Sequence, residues 1–150
     1  MKKTEIRQSN IHEKLFIATG NAFDPETFGA DGIAAFVKEG FSGTYADYNM
    51  EYKKNPKKNV KVYEYYYGGS KPFPLGVELQ DIVASALDSL ISMGCKSIIL
   101  PPIRTADKSN EENEQLIVYA CGNWLKKNSS AIVEKIIIAD QVGQMINKDY

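Results

Sequence analysis

Small and polar residues follow the first apolar run of this 150-residue chain, and their types suit nucleotide binding. Gly20 and Asn21 end that run, with Gly29, Asp31 and Gly32 close behind. Glycine lets a ligand approach the backbone closely, and amide or carboxylate side chains could hold ribose hydroxyls. The same residue types also form turns and caps without any ligand, and composition alone favours this structural alternative.

Two later segments carry groups that suit phosphate and water chemistry. Gly68, Gly69 and Ser70 lie in the first, where two glycines and a hydroxyl suit a phosphate, although the chain lacks the GxxxxGK[ST] pattern. In the second, Arg104 can make a bidentate contact with a phosphate, and Asp107 could act as a general base or orient a water. The structural alternatives are a flexible turn in the first segment and a surface ion pair between Arg104 and Asp107 in the second.

The elements that must position these groups follow from hydrophobic periodicity. Short apolar runs predict strands over residues 14–19, 59–67, 97–100 and 133–139. Helical spacing predicts helices over residues 31–40 and 76–93, a third helix from the Ser109–Glu112 capping box to about 127, and a weaker one over 44–55. Residues 1–13 are expected to be a loose lead-in that could add an edge strand, and residues 141–150 a terminal turn or helix.

Helices between successive apolar strands imply parallel crossovers. The predicted fold class is therefore α/β, with one three-layer α/β/α domain over residues 1–150 and a mostly parallel mixed sheet.

Composition narrows the function classes. The formal net charge is −1, which favours neither nucleic acid nor an anionic membrane as a partner. The N-terminal segment has no signal-peptide pattern, so we expect a soluble, cytoplasmic protein. Cys95 and Cys121 are expected to be small buried hydrophobes, and with His12 as the sole histidine we predict no metal site and no cofactor. Abundant Lys, Asn, Ile and Tyr are consistent with a microbial or phage source.

Taken in chain order, several of these segments resemble a macro domain, the family that binds ADP-ribose. The segments are IATGN (17–21), GADGIAAF (29–36), KSIILPPIRT (96–105) and IIIAD (136–140), and the resemblance spans about residues 14–140. The run GADGIAAFVKEGF is similar to the GAGIA-x-x-F form of the branch that removes ADP-ribose from glutamate side chains.

The resemblance implies a role for each matching residue. Asn21 corresponds to a ribose-contacting asparagine, and Gly29, Asp31 and Gly32 correspond to a helix-opening segment near the distal ribose. Thr105 corresponds to a phosphate-loop threonine, and Asp107 lies near the position of the catalytic aspartate. Asp140 corresponds to a residue lining the adenine pocket. One departure is clear, because the family has glycines after the threonine where this chain has Ala106, Asp107 and Lys108. Only glycine lets consecutive amides wrap a diphosphate without clashes.

Two hypotheses from different classes follow. In the first, the protein binds ADP-ribose or another adenosine nucleotide and hydrolyses an ADP-ribosyl linkage, for example on an ADP-ribosylated protein. Asp31 and Asp107 would be catalytic, and Phe23 or Phe73 would supply the slot for the base. In the second, an inactive macro-like domain binds another ligand or a protein partner, with its cleft filled by the tyrosines at 65–67 or by Phe73.

Overall fold

The apolar runs form the strands of a single sheet. The computed structural model describes residues 5–38, 60–67, 78–103, 105, 107–129 and 131–150. In these ranges the elements are β1 (Glu5–Gln8), β2 (Leu15–Thr19), β3 (Gly32–Lys38), β4 (Lys61–Tyr67), α1 (Leu79–Ser92), β5 (Ser97–Leu100), α2 (Asn110–Lys127) and β6 (Lys135–Asp140).

The sheet has six strands in the order β1-β2-β6-β5-β3-β4. The edge strand β1 is antiparallel to β2, and every other neighbouring pair is parallel. The predicted α/β class with a mostly parallel mixed sheet is therefore confirmed. Strands β2, β4, β5 and β6 match the four predicted strands, and β1 is the edge strand expected from the lead-in.

Successive side chains of the central strands point to opposite faces, and each face has its own apolar cluster. Leu15 and Ile17 pack with the buried sides of α1 and α2. Ala18 instead faces a second cluster, which includes Ala22 and Phe28 from the segment that follows β2. Among the described residues, both helices therefore cover one face of the sheet, and residues 20–31 cover the other.

Both helices were predicted from sequence, and both are present. In α1, the buried positions Leu79, Val83, Leu87 and Leu90 form one stripe, and each such leucine or valine stabilises the fold by about 1.5–3 kcal/mol. At the start of α2, Ser109 and Glu112 form the predicted capping box. Neither helix in the described ranges combines the length and the hydropathy that a membrane span requires.

The helix predicted over residues 31–40 is wrong, because Gly32–Lys38 is the strand β3. Ile33 and Phe36 were expected on one helical face, yet they belong to the clusters on opposite faces of the sheet. The physical reason is that β3 lies between β4 and β5 and is buried on both sides. A fully buried strand is continuously apolar, and that pattern also fits a short helix.

Residues 141–150 form turns, in agreement with one of the two predicted alternatives. The weak helix predicted over residues 44–55 lies outside the described residues.

Candidate ligand-binding cleft

A small cleft lies where β2, β5 and β6 end, and we call this side of the sheet the carboxyl edge. Its volume is about 150 Å³, and its walls are Asn21, Ala22, Phe23, Pro101, Pro102, Ala139, Asp140, Gln141 and Val142. Three adjacent parallel strands thus contribute to one cavity. Cavities in open α/β sheets that bind ligands lie at this edge.

The cleft coincides with a point where the chain leaves neighbouring strands toward opposite faces. The segment after β2 packs on one face through Ala22 and Phe28. The segment after the adjacent strand β6 packs on the helical face through Met145 and Ile146. Because the two segments diverge, they leave a crevice between the strand ends, which is the usual ligand position in doubly wound folds.

Gly20 determines how the chain enters the cleft. Its φ of +152° and its close approach to Phe28 exclude a side chain, since an added Cβ would lie 2.7 Å from the Cζ atom of Phe28. The Gly20 amide donates to the Asp140 carbonyl at 3.1 Å, which joins the ends of β2 and β6. The next residue, Asn21, is therefore placed directly at the cleft.

Asn21 is the side chain in the cleft best suited to bind a polar ligand. Its Oδ1 atom accepts a hydrogen bond of 2.9 Å from the Phe23 amide, as in an Asx turn. This bond assigns the orientation of the carboxamide, and Nδ2 makes no hydrogen bond to any described residue. Asn21 thus combines a fixed turn with an amide donor that a ribose or phosphate oxygen could accept.

The remaining walls are largely apolar. Ala22, Phe23, Pro101, Pro102 and Val142 present carbon surfaces that suit a planar ring better than a charged group. Phe23 was one of the two residues predicted to supply a base slot, and it lines the cleft. Phe73, the other, lies outside the described residues.

Asp140 lines the cleft as predicted, but its carboxylate has a structural function. Oδ1 accepts from the Val142 amide at 3.1 Å, and Oδ2 accepts from the amides of Gln144 at 2.7 Å and Met145 at 3.0 Å. The residue is 6% exposed. The carboxylate therefore anchors the turn that forms one wall.

Thr105 was predicted to contact a phosphate, and its side chain is instead buried at 6% exposure. Its hydroxyl donates a 2.7 Å hydrogen bond to Oδ1 of Asn113 on α2. The hydroxyl thus anchors the loop between β5 and α2. Asp107, the predicted catalytic residue of that loop, is exposed on the surface.

Asp31 lies at the opposite end of the parallel strands from the cleft, which we call the amino edge. Its carboxylate accepts from the Lys96 amide at 3.0 and 3.1 Å and from the Ser97 amide at 2.9 Å. The adjacent Gly32 is level with Ile98. Asp140 is four residues beyond the Ile136 partner of Ile98, about 13 Å along the strands. Asn21 and Asp31, which were predicted to hold the same distal ribose, therefore lie at opposite ends of the parallel strands.

The two glycines beside Asp31 also have structural roles. Gly29 has a φ of +65°, and an added Cβ at Gly32 would lie 2.9 Å from the Cys95 sulfur. Neither belongs to the cleft. Gly68, Gly69, Ser70 and Arg104, the other predicted ligand residues, lie outside the described residues.

The two cysteines offer no nucleophile. Burial, followed by the nearby charge of Asp31, raises the pKa of Cys95 to about 11, against the lowering effect of Lys61. Burial alone raises the pKa of Cys121 to about 12. Both thiols are therefore protonated near neutral pH, as expected for packing residues.

Sequence reasoning missed the two prolines, Gln141 and Val142, and it missed the buried polar pair Asn113 and Glu114 on α2. A signal was available for Asn113, which is four residues before Ile117 and so on the stripe predicted to be buried. No protein-family model matches this chain, and a search of curated proteins finds no similar sequence.

Proposed function

We propose that this protein binds ADP-ribose or a related adenosine nucleotide in the cleft at the carboxyl edge. The observation that carries the proposal is the position of Asn21. It lies at the point where the segments after β2 and β6 diverge, within a largely apolar cavity that Asp140 and Gln141 also line. This combination of carbon surfaces and one positioned donor is typical of small-molecule sites.

The chemistry of the walls favours a ligand with a flat ring and an adjoining polar group. Phe23, the two prolines and Val142 would cover the base, and the Asn21 amide would donate to a ribose or phosphate oxygen. A volume of about 150 Å³ suits a ring or a sugar, since pockets for whole drug-sized ligands measure about 300–1,000 Å³. The rest of the ligand would extend along the carboxyl edge past Pro102.

Membership of the macro-domain family is part of the proposal. It is supported by the order of the sequence motifs, by the mostly parallel mixed sheet and by a cleft at the strand ends beside Asn21, the asparagine that ends the first motif. The GADGIAAF motif argues against it in one respect, because it forms β3 and so does not open a helix.

We propose binding without hydrolysis. Hydrolysis of an ADP-ribosyl linkage was expected to use Asp31 and Asp107 together, and Asp31 is committed to two backbone amides at the amino edge. Asp140 lines the cleft, but both of its carboxylate oxygens accept backbone amides. We therefore assign it no role in proton transfer. The chain would then act as a reader of the nucleotide or of a protein that carries it.

Isothermal titration of the purified protein with ADP-ribose, with AMP and ATP as controls, tests this function. We expect saturable binding in the micromolar range, about −8 kcal/mol, that is strongest for ADP-ribose. A parallel assay for release of ADP-ribose from a modified protein should show no turnover. Absence of binding by all three nucleotides would contradict the proposal, and turnover that is lost in Asp107→Ala would contradict its non-catalytic part.

A further inference from the structure

Two consecutive residues on the inward side of α2 are buried even though their side chains are polar. Asn113 is 3% exposed and Glu114 is 6% exposed. Burying an amide and a carboxylate is unfavourable unless both are hydrogen-bonded, so their partners indicate why they are there.

Asn113 anchors the connection between β5 and α2 at Thr105 and Lys108. Its Oδ1 accepts from the Thr105 hydroxyl at 2.7 Å, and Nδ2 approaches the carbonyls of Lys108 at 3.4 Å and Thr105 at 3.5 Å. This loop begins with Pro101 and Pro102, which form one wall of the cleft. Asn113 itself is not a cleft residue.

Glu114 anchors the C-terminal segment, residues 141–150. Its Oε1 accepts from the Lys148 ammonium at 2.7 Å and from the Tyr150 hydroxyl at 2.9 Å. Burial and this hydrogen bond raise the pKa of Tyr150, which keeps the phenol protonated as a donor. The segment begins with Gln141 and Val142, which form another wall of the cleft.

We propose that Asn113 and Glu114 are positioning residues for the cleft, which together fix the distance between its two walls from a single turn of α2. One residue anchors the wall that follows β5, and its neighbour anchors the wall that follows β6. The role in ligand affinity rests on the nucleotide-binding function proposed above, whereas the role in ordering the walls does not depend on any ligand.

A second set of contacts links the end of this segment to its start. The Arg7 guanidinium on β1 donates to the carbonyl of Ile146 at 2.8 Å and to that of Tyr150 at 3.1 Å. The Asp140 carboxylate binds the amides of Val142, Gln144 and Met145. Because Arg7 joins the carbonyl of Tyr150 to that of Ile146, displacement of Tyr150 on loss of the Glu114 anchor should also loosen the turn that precedes Ile146.

Hydrogen–deuterium exchange measured by NMR tests the ordering of the walls without a ligand. In Glu114→Ala, we expect the amides of Val142, Gln144 and Met145 to exchange at least about tenfold faster. Glu114→Gln should restore slow exchange, because its amide oxygen can accept from both Lys148 and Tyr150. Gln115→Ala is the matched control, since it truncates an exposed side chain at the next position of the same helix.

Titration of the same variants with ADP-ribose tests the role in affinity. We expect about tenfold weaker binding in Glu114→Ala and Asn113→Ala, with recovery in Glu114→Gln. Equal exchange rates in Glu114→Ala and Gln115→Ala would overturn the inference whatever the ligand result. If the unmodified protein binds no nucleotide but the exchange rates change as expected, the proposed function fails and the positioning role stands.

Discussion

At both the amino edge and the carboxyl edge an aspartate carboxylate accepts hydrogen bonds from backbone amides, but the two aspartates have different roles. At the amino edge, the Asp31 carboxylate accepts the amides of Lys96 and Ser97. At the carboxyl edge, the Asp140 carboxylate accepts three amides of the segment that follows it. Asp31 joins neighbouring strand starts, whereas Asp140 shapes one wall of a cleft. An aspartate that accepts backbone amides is thus evidence of a fixed backbone. Its position decides whether that fixed backbone forms part of a ligand-binding cleft.

The residues around each carboxylate strengthen the contrast. Beside Asp31, the Cys95 sulfur fills the space where a Cβ at Gly32 would lie, so the amino edge is closed by packing. Beside Asp140, the segments after β2 and β6 diverge and leave the crevice that Asn21 enters. We therefore expect substitutions at the amino edge to alter stability alone, and substitutions at the carboxyl edge to alter ligand binding.

The largest effect is expected from Asp140→Ala. It leaves three amides without their acceptor, so the free energy of unfolding should fall by about 3 kcal/mol. Urea denaturation measures this loss, and Asp140→Asn should recover part of it through its remaining oxygen. A loss below about 1 kcal/mol would mean that the turn does not depend on the carboxylate.

A smaller effect is expected from Asp31→Ala. The variant removes the acceptor of the Lys96 and Ser97 amides at a half-buried site, so unfolding should become easier by about 2 kcal/mol. The affinity for ADP-ribose, measured below the unfolding transition, should be unchanged. Weaker binding in a folded Asp31→Ala protein would break the comparison, because it would place Asp31 at the ligand.

Asn21→Asp sharpens the comparison at the carboxyl edge. The new carboxylate keeps an acceptor for the Phe23 amide, so the turn and the stability should be retained. It replaces the Nδ2 donor with a negative oxygen, so nucleotide affinity should fall about tenfold, equal to 1.4 kcal/mol. Asn21→Ala is the companion variant, which should lose affinity together with about 0.5–1 kcal/mol of stability from the turn.

The smallest expected effect is the pH dependence of stability that comes from Cys121, a buried residue of the core. The pKa of Cys121 is raised to about 12 by burial, so the folded thiol keeps a proton that the unfolded thiol releases above pH 9 or so. Its stabilising contribution is complete below that pH and is lost as pH rises toward 12. Between pH 8 and pH 10, stability should therefore fall by about 1 kcal/mol through this group, and Cys121→Ala should show a shallower decline in urea midpoint.

Much of the fold could be predicted because its strands and helices carry strong local patterns. Ser97–Leu100 is apolar throughout and is a fully buried strand, and the Ser109–Glu112 capping box begins α2 where the sequence indicates. Gly32–Lys38 could not be assigned correctly from local pattern, because only its position between two neighbouring strands distinguishes it from a helix. Tertiary context decided that element.

The cleft was predictable in part for the same reason. Asn21 directly follows an apolar run, so its place at a strand end was visible in the sequence. Asp31 follows a similar small-residue segment, but it precedes a strand. The reason is that residues 20–31 pack across one face of the sheet before β3 begins, which the local sequence does not indicate. Thr105 and Asn113 are eight residues apart, and only the folded chain reveals that the threonine hydroxyl donates to the Asn113 side chain.

Titration calorimetry with ADP-ribose on Asn21→Asp and Asp31→Asn, beside the unmodified protein, tests most directly the claim that the cleft at the carboxyl edge is the binding site. We predict that Asp31→Asn binds like the unmodified protein and that Asn21→Asp binds about tenfold more weakly while remaining folded. Equal affinity in all three proteins, or a loss confined to Asp31→Asn, would contradict it.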